Sequence, residues 1–258
     1  MKRFLKIATL AGAVLVAAGP SGQAAGEARH ARDGGFGFAN LFGSFDRASA
    51  QRGLQVYKEV CSSCHSMNLL SYRNLTEIGL SEAQVQGIAA TFEVTDGPND
   101  EGAMFQRPAR LSDRFRRPHP NDAAARAANN GALPPDLSLM IKARHDGANY
   151  VYSLLTGYGQ EPPSGMTIGD GMNYNPYYPG GQIAMGQVLN DDQIEYTDGT
   201  TASADQMARD VTTFLAWAAE PELEARRRMG IRVLIFLGIA GVLTYLVKKR
   251  IWADLKPV

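Results

Sequence analysis

Val60-Cys61-Ser62-Ser63-Cys64-His65-Ser66 contains both cysteines of the chain, and a histidine follows the second directly. This spacing is the pattern of covalent haem attachment. Two thiols three positions apart can add across the haem vinyl groups, which fixes the porphyrin edge to a single turn of chain, and the next imidazole is delivered to the iron. A Cys-x-x-Cys alone would serve equally as a thiol redox pair or as half of a zinc site; the adjoining histidine is what suits a proximal iron ligand. Cys61 and Cys64 are therefore the expected attachment points of one haem c, and His65 its first axial ligand.

Upstream, Asp46 opens a predicted helix that uses Leu54, Tyr57 and Val60 as its inner face and ends by delivering Cys61. Before it, 25–38 is polar and glycine-rich and reads as an extended arm. Downstream, 72–80 reads as loop, and Ser81 with Gln84 is spaced for a capping box that starts a helix to about Phe92. The stretch 95–120 reads as a long surface loop. Asn121 is placed to cap a short helix that stops at Asn129-Asn130-Gly131, and Ala132 to Pro135 must be extended. Asp136 is expected to cap a helix over 137–144, and another is predicted over 149–156. The glycine- and proline-rich stretch 157–186 reads as irregular, with Tyr174, Tyr177 and Tyr178 as anchors. Ser203 opens the last helix before Pro221, with Met207, Val211, Phe214, Leu215 and Trp217 for burial. Period-two segments are few, so the chain is read as mostly α with long loops.

The 258 residues, 45% hydrophobic and 20% charged, fit a folded domain of ordinary composition. Its ends are less ordinary. Residues 1–24 join a basic start to a short apolar run and small residues, the form of a secretory signal peptide cut after Ala24. Near the other end, 229–247 is apolar apart from Arg232 and is bracketed by Arg226 to Arg228 and Lys248 to Arg250, which fits one membrane-spanning helix. The expected organisation is a signal peptide (1–24), an exported haem domain (25–225), and an anchor with a short basic cytoplasmic tail (226–258). The formal charge of zero conceals a partition: 25–225 carries 15 Lys/Arg against 25 Asp/Glu, a net of −10, with +3 before it and +7 after it. An acidic exported domain is expected to attract a cationic soluble partner, less strongly as salt rises. Asp191, Asp192, Glu195 and Asp198 form a candidate docking cluster. No nucleic-acid partner is expected.

The second iron ligand decides whether the haem carries electrons or does chemistry on a small molecule. His30, His119 and His145 read as surface histidines, Met67 is too near His65, and Met140 and Met207 fall on apolar helix faces. Met104, Met166, Met172 and Met185 remain. Met185 is the best placed, in the short apolar island Ile183-Ala184-Met185 between Gly180-Gly181 and Gly186.

Several further stretches carry a resemblance: Arg52 to Tyr57 before the haem motif, Ala127 to Ser138, Ala143-Arg144-His145, Tyr150 to Tyr158, Asn175-Pro176-Tyr177, Ile183-Ala184-Met185, and Phe214 to Pro221. Together they resemble the cytochrome c1 family, the haem-bearing subunits of the cytochrome bc1 complex (ubiquinol:cytochrome c oxidoreductase). The resemblance implies a mostly α, class I cytochrome c-like haem domain with one C-terminal transmembrane helix. It implies Met185 as distal ligand, Pro134 and Pro135 packed against the haem, and Arg144, Tyr150 and Asn129 meeting its propionates. Implied partners are cytochrome b, a Rieske iron-sulfur protein and a soluble cationic cytochrome c, in a dimeric complex of the bacterial inner membrane with the haem domain on the periplasmic side. Gly186-Gln187 follows Met185 where the family usually has proline. Three other readings stand beside this one: a membrane-anchored monohaem cytochrome of another respiratory enzyme, a catalytic haem with an open iron site, and a membrane-anchored thiol oxidoreductase using Cys61 and Cys64 as a dithiol.

Overall fold

The computed structural model describes residues 28–253; the expected signal peptide and the last five residues lie outside them. Two helices form the centre of the domain. Helix α1 (Arg47–Glu59) starts at Asp46, whose carboxylate accepts from the backbone amides of Ala48 and Ser49, the usual remedy for unpaired N–H groups at a helix start. Leu54 and Tyr57 are buried on its inner face, and Val60 packs at the core's edge. Three short helices follow: α2 (Glu82–Ala90), α3 (Asp122–Ala128) and α4 (Gly147–Leu155). Helix α5 (Ala204–Ala219) is capped by Ser203, whose hydroxyl accepts from Gln206 N, and it buries Met207, Val211, Phe214, Leu215 and Trp217. Helix α1 crosses α5 at Gly53, and the rings of Tyr57 and Phe214 lie 5.9 Å apart.

The expected capping box of α2 is present, with Ser81 and Gln84 each accepting from the other's amide. Asn121 caps α3, which stops where Asn130 and Gly131 turn left-handed, as expected. Three expectations need correction. Residues 72–80 are not loop: Tyr72–Ile78 is a 3-10 helix, because Tyr72, Leu75 and Ile78 are all buried and their spacing of three is the period of that helix. The stretch 95–120 is not uniformly loop, since β1 (Glu93–Asp96) pairs antiparallel with β2 (Phe105–Pro108), Glu93 facing Pro108. Arg107 fastens that hairpin by bonding Asp96 and Asp113. The predicted helix over 137–144 is a run of tight turns. Asp136 does accept from Ser138 N at 2.9 Å, but its other oxygen accepts from Ser66 and Asn68, so the segment is held to the haem motif and does not wind into a helix.

Most of 157–186 is irregular, as read, apart from the two-residue strands β3 (Asn173–Tyr174) and β4 (Gln182–Ile183), with Tyr177 buried and Tyr174 and Tyr178 half-buried. The arm, from Ala28 onward, is laid over the domain. Arg32 N donates to Ser153 Oγ, Gly34 N donates to Asn149 Oδ1, and Phe36 and Phe38 are buried. Helix α6 (Leu223–Ile251) is the one helix among the described residues long and apolar enough to cross a membrane, and none of its apolar window is buried. At 1.5 Å per residue its 29 residues reach roughly 43 Å, more than a hydrocarbon core needs. The chain is thus mostly helical, with few strands, long loops and one apolar C-terminal helix.

Candidate haem site

Helix α1 hands its last turn to a 3-10 turn, Cys61–Ser63, in which His65 N donates to Cys61 O at 2.9 Å and Cys64 N to the same carbonyl at 3.2 Å. Ser62 and Ser63 turn their hydroxyls back onto the carbonyls of Lys58 and Val60. These bonds satisfy the free carbonyls at the end of α1 and place both sulfurs on one turn. Neither cysteine is in a disulfide; Cys61 is half-buried and Cys64 exposed. Burial pushes the Cys61 thiol up to about 12, with the nearby Cys64 adding to the effect.

His65 is oriented by its neighbour across the cleft. Its Nδ1 lies 2.8 Å from the carbonyl oxygen of Pro135. A carbonyl only accepts, so Nδ1 carries the proton and Nε2 is left with a lone pair, the form in which imidazole binds a metal. Burial lowers the pKa of this imidazole, against the opposing pull of the Pro135 carbonyl and Asp136. Tyr57 donates to His65 O, and Leu137 N donates to Ser66 O at 2.9 Å. With Asp136 accepting from both Ser66 and Asn68, the haem motif and the segment 134–138 form one strapped unit. Between them a cavity of about 180 Å3 is lined by Cys64, Leu133, Pro134, Pro135 and His119 among others. His119, expected at the surface, is therefore a half-buried wall of that cavity, whereas His145 is exposed as expected.

Met185 lies half-buried in the loop after β4. Tyr158 donates from its hydroxyl to Met185 O at 2.9 Å. Burial raises the pKa of Tyr158, and Tyr150 is close enough to add to the effect. Burial likewise raises Tyr150, while the nearby positive charge of Arg144 works against the shift. Of these residues, Tyr158 and Met185 are joined by a hydrogen bond. Of the other methionines considered, Met104 is exposed beside β2, and the methyl of Met166 would stand 2.8 Å from a Cβ at Gly181, which makes Met166 packing for the turn before β4. Asn129 closes α3 and spends an amide hydrogen on Ala125 O.

Sequence reasoning missed Tyr158 and the strap made by Asp136. Asp136 was readable in part, since an aspartate directly after Pro134-Pro135 is free to accept from a neighbouring segment; Tyr158 had no local signal. Two unbridged thiols on one turn and an imidazole with Nε2 free, beside a cavity walled by Pro134 and Pro135, fit one haem c.

A covalent haem site at the end of the central helix, with one apolar helix at the C-terminus, defines the class as an anchored c-type cytochrome. Within it the chain belongs to the cytochrome C1 family, whose profile matches residues 36–255. It is 54% identical over 218 residues to "Cytochrome c1-2, heme protein, mitochondrial" of Solanum tuberosum, covering 84% of each chain. It is 52% identical over 215 residues to "Cytochrome c1, heme protein, mitochondrial" of Saccharomyces cerevisiae, covering 83% of this chain and 70% of that one. A third relative, "Cytochrome b-c1 complex catalytic subunit, mitochondrial" of Candida albicans, is 50% identical over 216 residues, with 84% and 75% covered. Covalently bound haem c is the cofactor of this family.

Proposed function

We propose that this chain is the haem electron-transfer subunit of a cytochrome bc1 complex, taking electrons from the Rieske iron-sulfur protein and passing them to a soluble cationic cytochrome c. When bound, the haem supplies a one-electron couple. Cys61 and Cys64 hold it covalently, His65 presents Nε2 to the iron, and Met185 supplies the second ligand. Histidine with methionine raises the potential and leaves no open position for oxygen chemistry. Arg144 and Tyr150 meet the propionates, joined by Asn129, and Pro134 and Pro135 pack on the ring. The observation that carries the reading is the bond from His65 Nδ1 to Pro135 O, which prepares the imidazole as an iron ligand before any metal is considered.

The net charge of −10 over 25–225 steers a cationic carrier toward the domain. Within the candidate docking cluster, Asp198 pairs with Arg52, whereas Asp191, which accepts from Ala204 N, and Asp192 and Glu195 have no ion-pair partner among the described residues. Residues 1–24 are read as the signal peptide, 25–225 as the exported haem domain and 226–258 as the anchor and tail. This organisation belongs to the periplasmic face of a bacterial inner membrane, in a dimeric complex with cytochrome b. Denaturing electrophoresis with haem staining tests the attachment: the stain should stay with this polypeptide and vanish from Cys61→Ala/Cys64→Ala. Cytochrome b and a Rieske-type protein should copurify from solubilised membranes; a stained chain that copurifies with neither would point to another respiratory enzyme.

A further inference from the structure

Among the described residues, Leu41 and Phe42 are 75% and 79% exposed, as open to solvent as the outer face of α6, where Leu234 is 71% exposed. They are not on a loose end. Gly43 N donates to Asn40 O at 3.0 Å, so Leu41 and Phe42 are the two central residues of a tight turn, positions where polar residues, glycine or proline are the ordinary choice. A Cβ at Gly43 would lie 1.8 Å from Gly37 O, so the turn is pressed against the preceding backbone. Arg227, in the second turn of α6, donates from Nη1 to Phe38 O at 2.9 Å and to Gly43 O at 2.8 Å. Glu224, one turn earlier, accepts from Phe45 N and pairs with Arg47 at 3.0 Å. An exposed Leu-Phe pair is therefore clamped beside the place where the apolar stretch 229–247 begins.

We propose that Leu41 and Phe42 insert into the lipid interface next to the first turns of α6, so that the haem domain is held to the bilayer at two points and its tilt is fixed. This rests on reading α6 as the membrane span. The turn that carries the pair is bonded to Arg227, two residues before the apolar stretch, and its position at the tip of a narrow turn favours lipid over a protein partner. Two side chains fall far short of the roughly 800 Å2 per partner that a stable protein interface buries, whereas apolar side chains beside the start of an apolar helix, level with a charged belt of Glu220, Glu222 and Glu224 and Arg226 to Arg228, suit a headgroup boundary. Arg227 acts as a positioning residue that sets the height of the turn.

The test uses Phe42→Trp in the full chain, assembled with its complex and reconstituted into phosphatidylcholine vesicles made with or without brominated acyl chains. Wild-type emission is subtracted to remove Trp217 and Trp252, and Leu234→Trp serves as the control for the span. The expected result for Phe42→Trp is loss of the introduced indole's emission in brominated vesicles, of the same order as for Leu234→Trp; Leu41→Trp should repeat it. Quenching of Leu234→Trp without quenching at position 42 or 41 would overturn the inference and leave the span intact, with blue-shifted emission indicating a protein contact and water-like emission indicating solvent. Quenching at neither place would overturn the membrane reading itself.

Discussion

The hydroxyl of Tyr158 donates to the carbonyl of Met185 at 2.9 Å. The bond ties the segment after α4 to the loop after β4, and it fixes the backbone that presents the proposed distal ligand. Gly186 and Gln187 give that loop none of the stiffness of proline, so the tyrosine has the restraining role. Tyr158→Phe removes one hydrogen bond and leaves the Met185 carbonyl in a half-buried site, a cost of roughly 1 kcal/mol. The red charge-transfer band of methionine-ligated ferric haem should then fade at lower denaturant than in the wild type, with covalent haem retained. An unchanged midpoint for that band would remove the tyrosine from the ligand's support.

Met185→Leu should keep the covalent haem and lower its reduction potential by at least about 59 mV, a tenfold change in a one-electron equilibrium. Met166→Leu and Met172→Leu are the comparisons. Met166 packs against the Gly181 turn, so its variant should cost stability and leave the potential in place. Potentiometric titration separates the three, and a potential that moves with Met166 or Met172 alone would reassign the ligand.

Asp136 gives the strap a pH dependence. Burial works to raise its pKa, but bonds from Ser138, Asn68 and Ser66 prevail and hold the carboxyl below its ordinary value. A group depressed in the folded state contributes stability above its unfolded pKa and loses that contribution as pH falls through the folded value, here below about pH 4. Asp136→Ala should destabilise the domain by about 1–3 kcal/mol at neutral pH, by stranding three donors. Its denaturant midpoint should also fall less steeply than the wild type's between neutral pH and pH 3. Parallel slopes would show that other carboxylates carry the acid sensitivity.

The legible part of the site was the part covalent chemistry makes contiguous. Cys61, Cys64 and His65 must share one turn, so their spacing is in the chain itself; Met185 stands some 120 residues away and is brought in by tertiary structure alone. Helix starts were legible for the same local reason, because Ser81, Asn121 and Ser203 satisfy amides three residues on. Asp136 misled because the capping pattern is silent on a competing acceptor role toward a segment seventy residues away. The β1–β2 hairpin was not legible, since neither strand has a fully buried face and its fastening is ionic, through Arg107. Tyr72, Leu75 and Ile78 were visible as apolar residues, but a spacing of three over seven residues fits an α face too briefly to be distinguished from loop.

The position of the haem turn depends on how α1 seats against α5, and Gly53 sets that distance. A Cβ on Gly53 would lie 2.0 Å from Asp210 O and 2.7 Å from Phe214 Cβ, and the first of these is backbone that cannot move without displacing α5. One turn of helix geometry links this contact to a buried charge. The Asp210 carboxylate accepts from Ser49 Oγ at 2.7 Å, from Arg52 Nε and Nη2 at 2.9 and 3.0 Å, and from Gln206 Nε2 at 3.1 Å, so every donor on it comes from α1 or from α5 itself. These bonds hold the Arg52 guanidinium firmly in its charged form. Asp210→Ala leaves that half-buried cation with only the more exposed Asp198 as partner and should cost about 3 kcal/mol, whereas Asp210→Leu with Arg52→Met together should cost much less. Gly53→Ala should destabilise by about 1–3 kcal/mol through overpacking, and because α1 leads directly into Cys61 it should also reduce the yield of haem-bearing chain. Denaturant unfolding and haem stain per unit protein measure both effects. A Gly53→Ala domain as stable as the wild type would mean that α1 and α5 can separate at this crossing without disturbing the turn that carries the haem.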